Sequence, residues 1–346
     1  GAGRAIDLEG YHILPGIVDL HGDAFERHLA PRRGAVKDLQ SGFYALHSEL
    51  AANGITTAVL AQFYSWEGGM RSPEFAGAFL EHLEQFAPKV PSTLLPQLRF
   101  ETHMLDAYKE FAALCTRYAV PYVVFNDHLP HQALAKGKRP ARLTGQALKS
   151  GRSPEAHLEL LKELHEKSGQ VAAALPDLIA ALGAGVLLGS HDDARAQDRH
   201  GWAAKGAALC EFPETKEVAK AAAALGNPVI MGAPNVVRGG SHKKNISALE
   251  LVQEGLCSAL ASDYHYPSPR LAALLLAKEI GLPAAWHLVS SGPAAILGLK
   301  DRGHLQPSYR ADLVILEAQS QQVAACFAGG ALSFISSDLA QRFFGS

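Results

Sequence analysis

The stretch ILPGIVDLHGDAFERH, Ile13 to His28, decides how the rest of the chain is read. A short apolar run ends in His21-Gly22-Asp23. Residues two apart on a strand point the same way, so His21 and Asp23 can face one point in space. Alone, such a pair is more often a hydrogen-bonded strand end or a cap than a metal site. What ends the other strands therefore carries the argument.

Seven further runs of the same kind follow: TTAVLAQFY, LLPQLRFE, PYVVFND, GVLLGSH, GAALCEF, NPVIMGA and LCSALASD. Their hydrophobicity is continuous rather than alternating, the pattern of parallel strands buried on both faces. Helical patterns fill the gaps. In SPEFAGAFLEHLEQFAP, Ser72 reads as an N-cap with Pro73 at the first helical position, and SPEAHLELLKELHEKSG repeats that start at Ser153. Asn53-Gly54 and Gly226 supply the positive φ that closes a helix. The alternation predicts an α/β fold, a (β/α)8 TIM-type barrel over residues 13–300. Beyond Gly292 the pattern changes, and ADLVIL and QVAACFAGG read as strands outside the barrel. Residues 301–346 are thus read as the C-terminal part of a small β-sandwich appendage and 1–12 as a remnant of its other part. The segment Lys136–Gly151, KGKRPARLTGQALKSG, is basic and glycine-rich and reads as a long mobile insertion after the fourth run.

Composition narrows the function classes. In 346 residues, 48% hydrophobic and 19% charged, disorder is excluded. A net charge of -2 argues against a nucleic-acid partner. The four cysteines, Cys115, Cys210, Cys257 and Cys326, form no CxxC pair, so neither a disulfide framework nor a cysteine zinc ribbon is expected. No run approaches the ~20 apolar residues of a membrane helix, and the first residues lack a signal-peptide pattern. The reading is a soluble cytoplasmic protein with no membrane partner. It leaves open whether the chain forms a homo-oligomer.

In parallel α/β folds, chemistry collects at the C-terminal ends of the strands. Here they carry His21 and Asp23, then Glu101, Asn126-Asp127-His128, His191-Asp192-Asp193, and Asp263. Three histidines with three carboxylates suit zinc, manganese or iron, and two divalent metal ions bridged by one carboxylate fit that count. Asp192 can orient His191 through its second ring nitrogen. His28, His47, His82, His157, His165, His287 and His304 read as surface or core residues, while His103 and His131 stay open. A second constellation is MGAPNVVRGGSHKKN, where Arg238, Lys243 and Lys244 surround Gly239-Gly240-Ser241-His242. Cationic side chains beside backbone N–H groups make a phosphate cradle there, and Arg32 of Pro31-Arg32-Arg33 adds positive charge.

These residues resemble the amidohydrolase superfamily: LPGIVDLHGD is similar to its first-strand signature, and SSGPAAILGL with GHLQPSYRADLVIL to its C-terminal return to a small β-sandwich. Within it, HGDAFERHLAPR, SHDDA, EFPETKEVAK, LGNPVIMGAPNVVRGGSH and ASDYHYPS resemble the diphosphatase family of the carbon–phosphorus lyase pathway. The resemblance implies a phosphonate-pathway hydrolase that cleaves a ribose 5-triphosphate carrying a 1-phosphonate to the 5-phosphate and diphosphate. It implies His21 and Asp23 as ligands, Glu101 as the bridging carboxylate, His128 and His191 as imidazole ligands, and Asp263 as ligand and base. The small-molecule partner is then a phosphorylated sugar. Two rival expectations remain: an amidohydrolase cutting a cyclic amide or lactone, and a non-catalytic sensor of phosphorylated sugars.

Overall fold

The computed structural model describes residues 5–30, 38–240 and 245–344. Four strands, β1 (Tyr11–Pro15), β10 (Leu313–Glu317), β11 (Val323–Ala328) and β12 (Ala331–Ile335), form an antiparallel sheet in the order β1-β10-β11-β12. The other eight are β2 (Ile17–Gly22), β3 (Ile55–Tyr64), β4 (Thr93–Glu101), β5 (Tyr122–Asn126), β6 (Leu187–His191), β7 (Leu209–Glu211), β8 (Val229–Gly232) and β9 (Ala259–Ala261). They lie in one sheet in chain order, the strand order of a (β/α)8 barrel with a small antiparallel appendage. Each of the eight anticipated runs contributes one of these strands.

The chain divides into two compact units: Gly1–Leu60 with Gln85–Leu95 and Pro228–Ser346, and Ala61–Glu84 with Pro96–Asn227. In the first unit, β2 runs parallel to β3 from Ile17–Ile55 to Gly22–Leu60, β8 pairs with β9, and a parallel bridge joins Gly22 to Asp263. One boundary expectation is corrected here. LPGIVDL is not one strand, because residues through Pro15 pair antiparallel with β10 and only those from Ile17 enter the parallel sheet. Gly16 makes the change of sheet: its N–H donates to Asp312 O at 2.9 Å, and a Cβ there would stand 2.3 Å from Thr56 Oγ1. Tyr11, Leu313 and Phe327 pack with Ile315, Ala325 and Leu339 to give the small sheet its own core. Arg302, bonded to Thr57 and Thr93, ties that region to the starts of β3 and β4.

In the second unit β5 pairs with β4 and β6, and β6 with β7, all parallel. Aromatic side chains pack against these strands: the Phe100 ring meets those of Tyr64, Tyr108 and Phe111, and Phe125 stacks on Trp202 at 5.3 Å. The helix caps follow the sequence. Ser72 Oγ accepts from Phe75 N–H ahead of the helix Pro73–Phe86, and Ser153 Oγ accepts from Ala156 N–H ahead of Pro154–Glu166. Gly54 and Gly226 have φ of 76° and 69°. The basic segment expected to be a mobile insertion contains a helix, Leu143–Ser150. Leu143 is buried with Trp66, Leu129, Leu161 and Leu164, so apolar residues among the lysines anchor it. Among the described residues, no helix is long and apolar enough to cross a membrane.

Candidate metal centres

Each unit carries its own donor cluster. In the first, one donor atom each of His21, Asp23 and Asp263 lie within 4.8 Å of one another. Backbone bonds set this up in both directions: Asp263 N–H donates to His21 O at 2.8 Å, and Asp23 N–H to Asp263 O at 2.9 Å. Asp263 sits at φ 54°, a left-handed conformation that side chains other than Gly rarely take and that Asp tolerates better than most. Stored strain of this kind collects where a side chain must be aimed.

Beneath the cluster, fully buried Asp19 accepts from Ser262 N–H at 2.8 Å and Ser262 Oγ–H at 2.5 Å. Burial raises its carboxyl pKa, with the two Ser262 bonds opposing that rise. Gly22 fits because there is no room for more: a Cβ would stand 2.7 Å from Asp19 Oδ2 and Tyr266 Cε1 and 2.8 Å from Ser262 Oγ.

In the second unit, fully buried Glu101 ends β4 and faces His128 beyond β5. Its Oε1 lies 2.5 Å from His128 Nδ1, and its Oε2 accepts from His128 N–H at 3.0 Å and Trp66 Nε1–H at 3.3 Å. Burial would raise the Glu101 carboxyl, but His128 outweighs it and holds the pKa below its ordinary value. Burial would likewise lower His128, and Glu101 holds it above the ordinary imidazole value. His128, His191 and Asp192 also place one donor each within 4.8 Å of one another. His191 Nε2 accepts from Arg99 at 3.0 Å, and its Nδ1 lies 3.3 Å from Asp192 Oδ1. That arrangement leaves the proton on Nδ1 and a lone pair on Nε2. Burial first, and Arg99 with it, lowers the His191 pKa and keeps the ring neutral, the form that ligates a cation. Imidazole and carboxylate donors at this spacing fit zinc, manganese or iron(II).

Three buried residues beside these clusters are absent from the donor set expected from the sequence. Asp19 and Arg99 stand two positions before His21 and Glu101, on the same strand faces. Arg99 is held over the Phe63 ring at 3.9 Å. Glu211, the last residue of β7, is fully buried and accepts from Tyr122 OH at 2.5 Å and Gln97 Nε2 at 2.9 Å. The period-two rule could have found the first two, and strand-end position the third.

The phosphate residues fare differently. Arg238 is exposed and bonds Tyr264 OH. Gly239 N–H donates to Val236 O at 3.0 Å and Gly240 N–H to Asn235 O at 2.9 Å, closing the helix Ala233–Val237. At these two positions of the expected cradle the N–H groups complete a helix end. Ser241, His242, Lys243 and Lys244 lie outside the described residues, as do Arg32 and its neighbours. Arg27 and His28, in FERHLAPR, both pair with Glu49.

The chain is 32% identical over 343 residues to the alpha-D-ribose 1-methylphosphonate 5-triphosphate diphosphatase of Escherichia coli (strain K12), across 92% of this chain and 87% of that protein. The chain belongs to the family of that diphosphatase. No family model matches it. Among solved structures it is similar to an amidohydrolase, with a TM-score of 0.61 and 13% identity over 97% of this chain and 89% of that one. It is similar also to the 5-methylcytosine deaminase of Klebsiella pneumoniae, with a TM-score of 0.59 and 12% identity over 97% of this chain and 90% of that one. At such identities the likeness shows the fold. Membership in the diphosphatase family makes the chain a hydrolase.

Proposed function

We propose that the chain is a metal-dependent diphosphatase that cleaves a ribose 5-triphosphate carrying a 1-phosphonate to the 5-phosphate and diphosphate, in phosphonate catabolism. The observation that carries this reading is the 32% identity to the diphosphatase across 92% of the chain. The two donor clusters support it.

In this reading His21, Asp23 and Asp263 hold one divalent cation, and Glu101, His128 and His191 another, with Asp192 steadying His191. Such cations supply Lewis acidity toward phosphoryl oxygen and water. The chain's own groups do the rest. The Asp263 carboxylate takes the proton of the attacking water while the bond between the α-phosphorus and its bridging oxygen breaks, and diphosphate leaves. Arg238, Lys243 and Lys244 neutralise the departing charge, and Ser241, His242 and Arg32 bind phosphate beside them. The His191 Nε2 lone pair would go to the cation in place of the Arg99 N–H that it accepts here. The reaction belongs to a reducing cytoplasm, which the four buried free thiols fit.

The test is the purified chain loaded with zinc or manganese and given that triphosphate, with products read by 31P NMR. Diphosphate and the 5-phosphate should appear in equal amounts. Absence of diphosphate, or release of orthophosphate instead, would sink the assignment. Arg238→Ala should raise KM for the triphosphate and leave hydrolysis of a neutral cyclic amide unchanged.

A further inference from the structure

Beside the second unit's donor cluster, and separate from the ligands named above, three histidines gather around one carboxylate. Asp127 Oδ1 lies 3.0 Å from His131 Nε2 and 3.5 Å from His103 Nδ1. On its other side His131 Nδ1 lies 2.8 Å from His165 Nδ1. The His131 ring centroid is 4.9 Å from that of His103 and 5.0 Å from that of His165. His165, read from sequence as a surface or core residue, is thus a partner in this group.

We infer that His103, Asp127 and His131 form a further binding site for a divalent transition-metal cation, with His165 orienting His131. Donors about 2.0–2.2 Å from a tetrahedral cation stand roughly 3.3–3.6 Å apart. The edge of 3.5 Å falls in that range and the edge of 3.0 Å lies just below it, and one donor atom from each of the three residues lies within 4.8 Å of the others. When His165 Nδ1 accepts from His131 Nδ1–H, the Nε2 lone pair of His131 faces the Asp127 carboxylate. Two acceptors face to face need a cation or a proton between them. A ring held through its second nitrogen is how ligating histidines are usually oriented.

Access and rigidity fit as well. Asp127 and His131 are 45% and 33% exposed, so a cation can enter and water can complete its shell, while His103, at 6%, anchors the site. The donors come from the end of β4, the end of β5 and the helix beginning at His131, and His165 from the helix Pro154–Glu166. A bound cation would clip these segments together. It would also hold the backbone next to His128. The inference does not depend on the proposed diphosphatase reaction.

The test is zinc counting on the full chain, stripped with chelator and dialysed against stepped free zinc. Wild type should bind one more zinc per chain than His131→Asn or Asp127→Asn. The same difference of one should persist in a His21→Asn, Asp263→Asn background and in a His128→Asn, His191→Asn background, which separates this site from both other clusters. Equal counts in wild type and both variants overturn the inference, because a proton-bridged pair then explains the contacts. His165→Gln keeps all three ligands and should retain the count while weakening one zinc by about 10–100-fold. Unchanged affinity in that variant overturns the orienting role. A difference of one zinc in a chain without diphosphatase activity would keep this site and remove the proposed reaction.

Discussion

Gly22→Ala probes the packing beneath the first donor cluster. The added methyl would stand 2.7 Å from Asp19 Oδ2 and Tyr266 Cε1 and 2.8 Å from Ser262 Oγ. All three neighbours are fully buried, and two of them are bonded to each other, so none can step aside into solvent. Overpacking of a tight interior costs about 1–3 kcal/mol. Turning the Ser262 hydroxyl away would also strip a bond from the buried Asp19 carboxyl, worth about 1–3 kcal/mol more. The expected loss is therefore about 2–6 kcal/mol, large against a domain stability of roughly 5–15 kcal/mol. Gly77→Ala is the control. It lies inside the helix Pro73–Phe86 with nothing within 4 Å of its Cβ position, and alanine there should stabilise by about 0.5–1 kcal/mol. Urea unfolding of the metal-stripped chain, followed by circular dichroism, reads both as midpoint changes at constant slope. A Gly22→Ala protein within about 0.5 kcal/mol of wild type would refute the packing argument, as would a Gly77→Ala loss exceeding it.

Two further outcomes follow from buried polar groups. Tyr122→Phe removes the phenol that donates to Glu211 at 2.5 Å, leaving Gln97 on that buried oxygen; a loss of about 1.5–3 kcal/mol is expected in urea unfolding, and a neutral result would mean that Glu211 is satisfied elsewhere. His157 is fully buried against Trp66, and burial first, then Arg152, holds its pKa below the ordinary 6.5. Between that depressed value and 6.5 the unfolded chain binds more protons than the folded one. His157 therefore costs the fold stability as pH falls through 6.5 and costs nothing well above it. His157→Gln should flatten the decline in urea midpoint from pH 7.5 toward more acid solution, and an unchanged slope would count against this assignment.

Much of the fold is legible in the sequence because it is written in near neighbours. The eight apolar runs are continuous because each strand is covered on both faces, and Ser72, Ser153, Gly54 and Gly226 mark helix ends through bonds and dihedrals spanning only a few residues. The donor residues were visible for the same reason: they terminate recognisable strands. What stayed hidden depends on residues far apart in the chain. Gly16 divides one apolar run between two sheets because Thr56 and Asp312 meet it there. Leu143 anchors a segment whose charge suggests freedom, because Trp66 and Leu161 cover it.

The sequence by itself determined the β/α alternation, the cap positions and which side chains could ligate a cation, since periodicity and residue type are local properties. Tertiary structure decided how those side chains are held. Asp19 beneath His21, Arg99 on His191, and the gathering of His103, Asp127, His131 and His165 follow from which strand ends become neighbours and how completely water is removed around them. Desolvation and distance set the protonation and aim of each group, and both arise only when segments remote in sequence pack together.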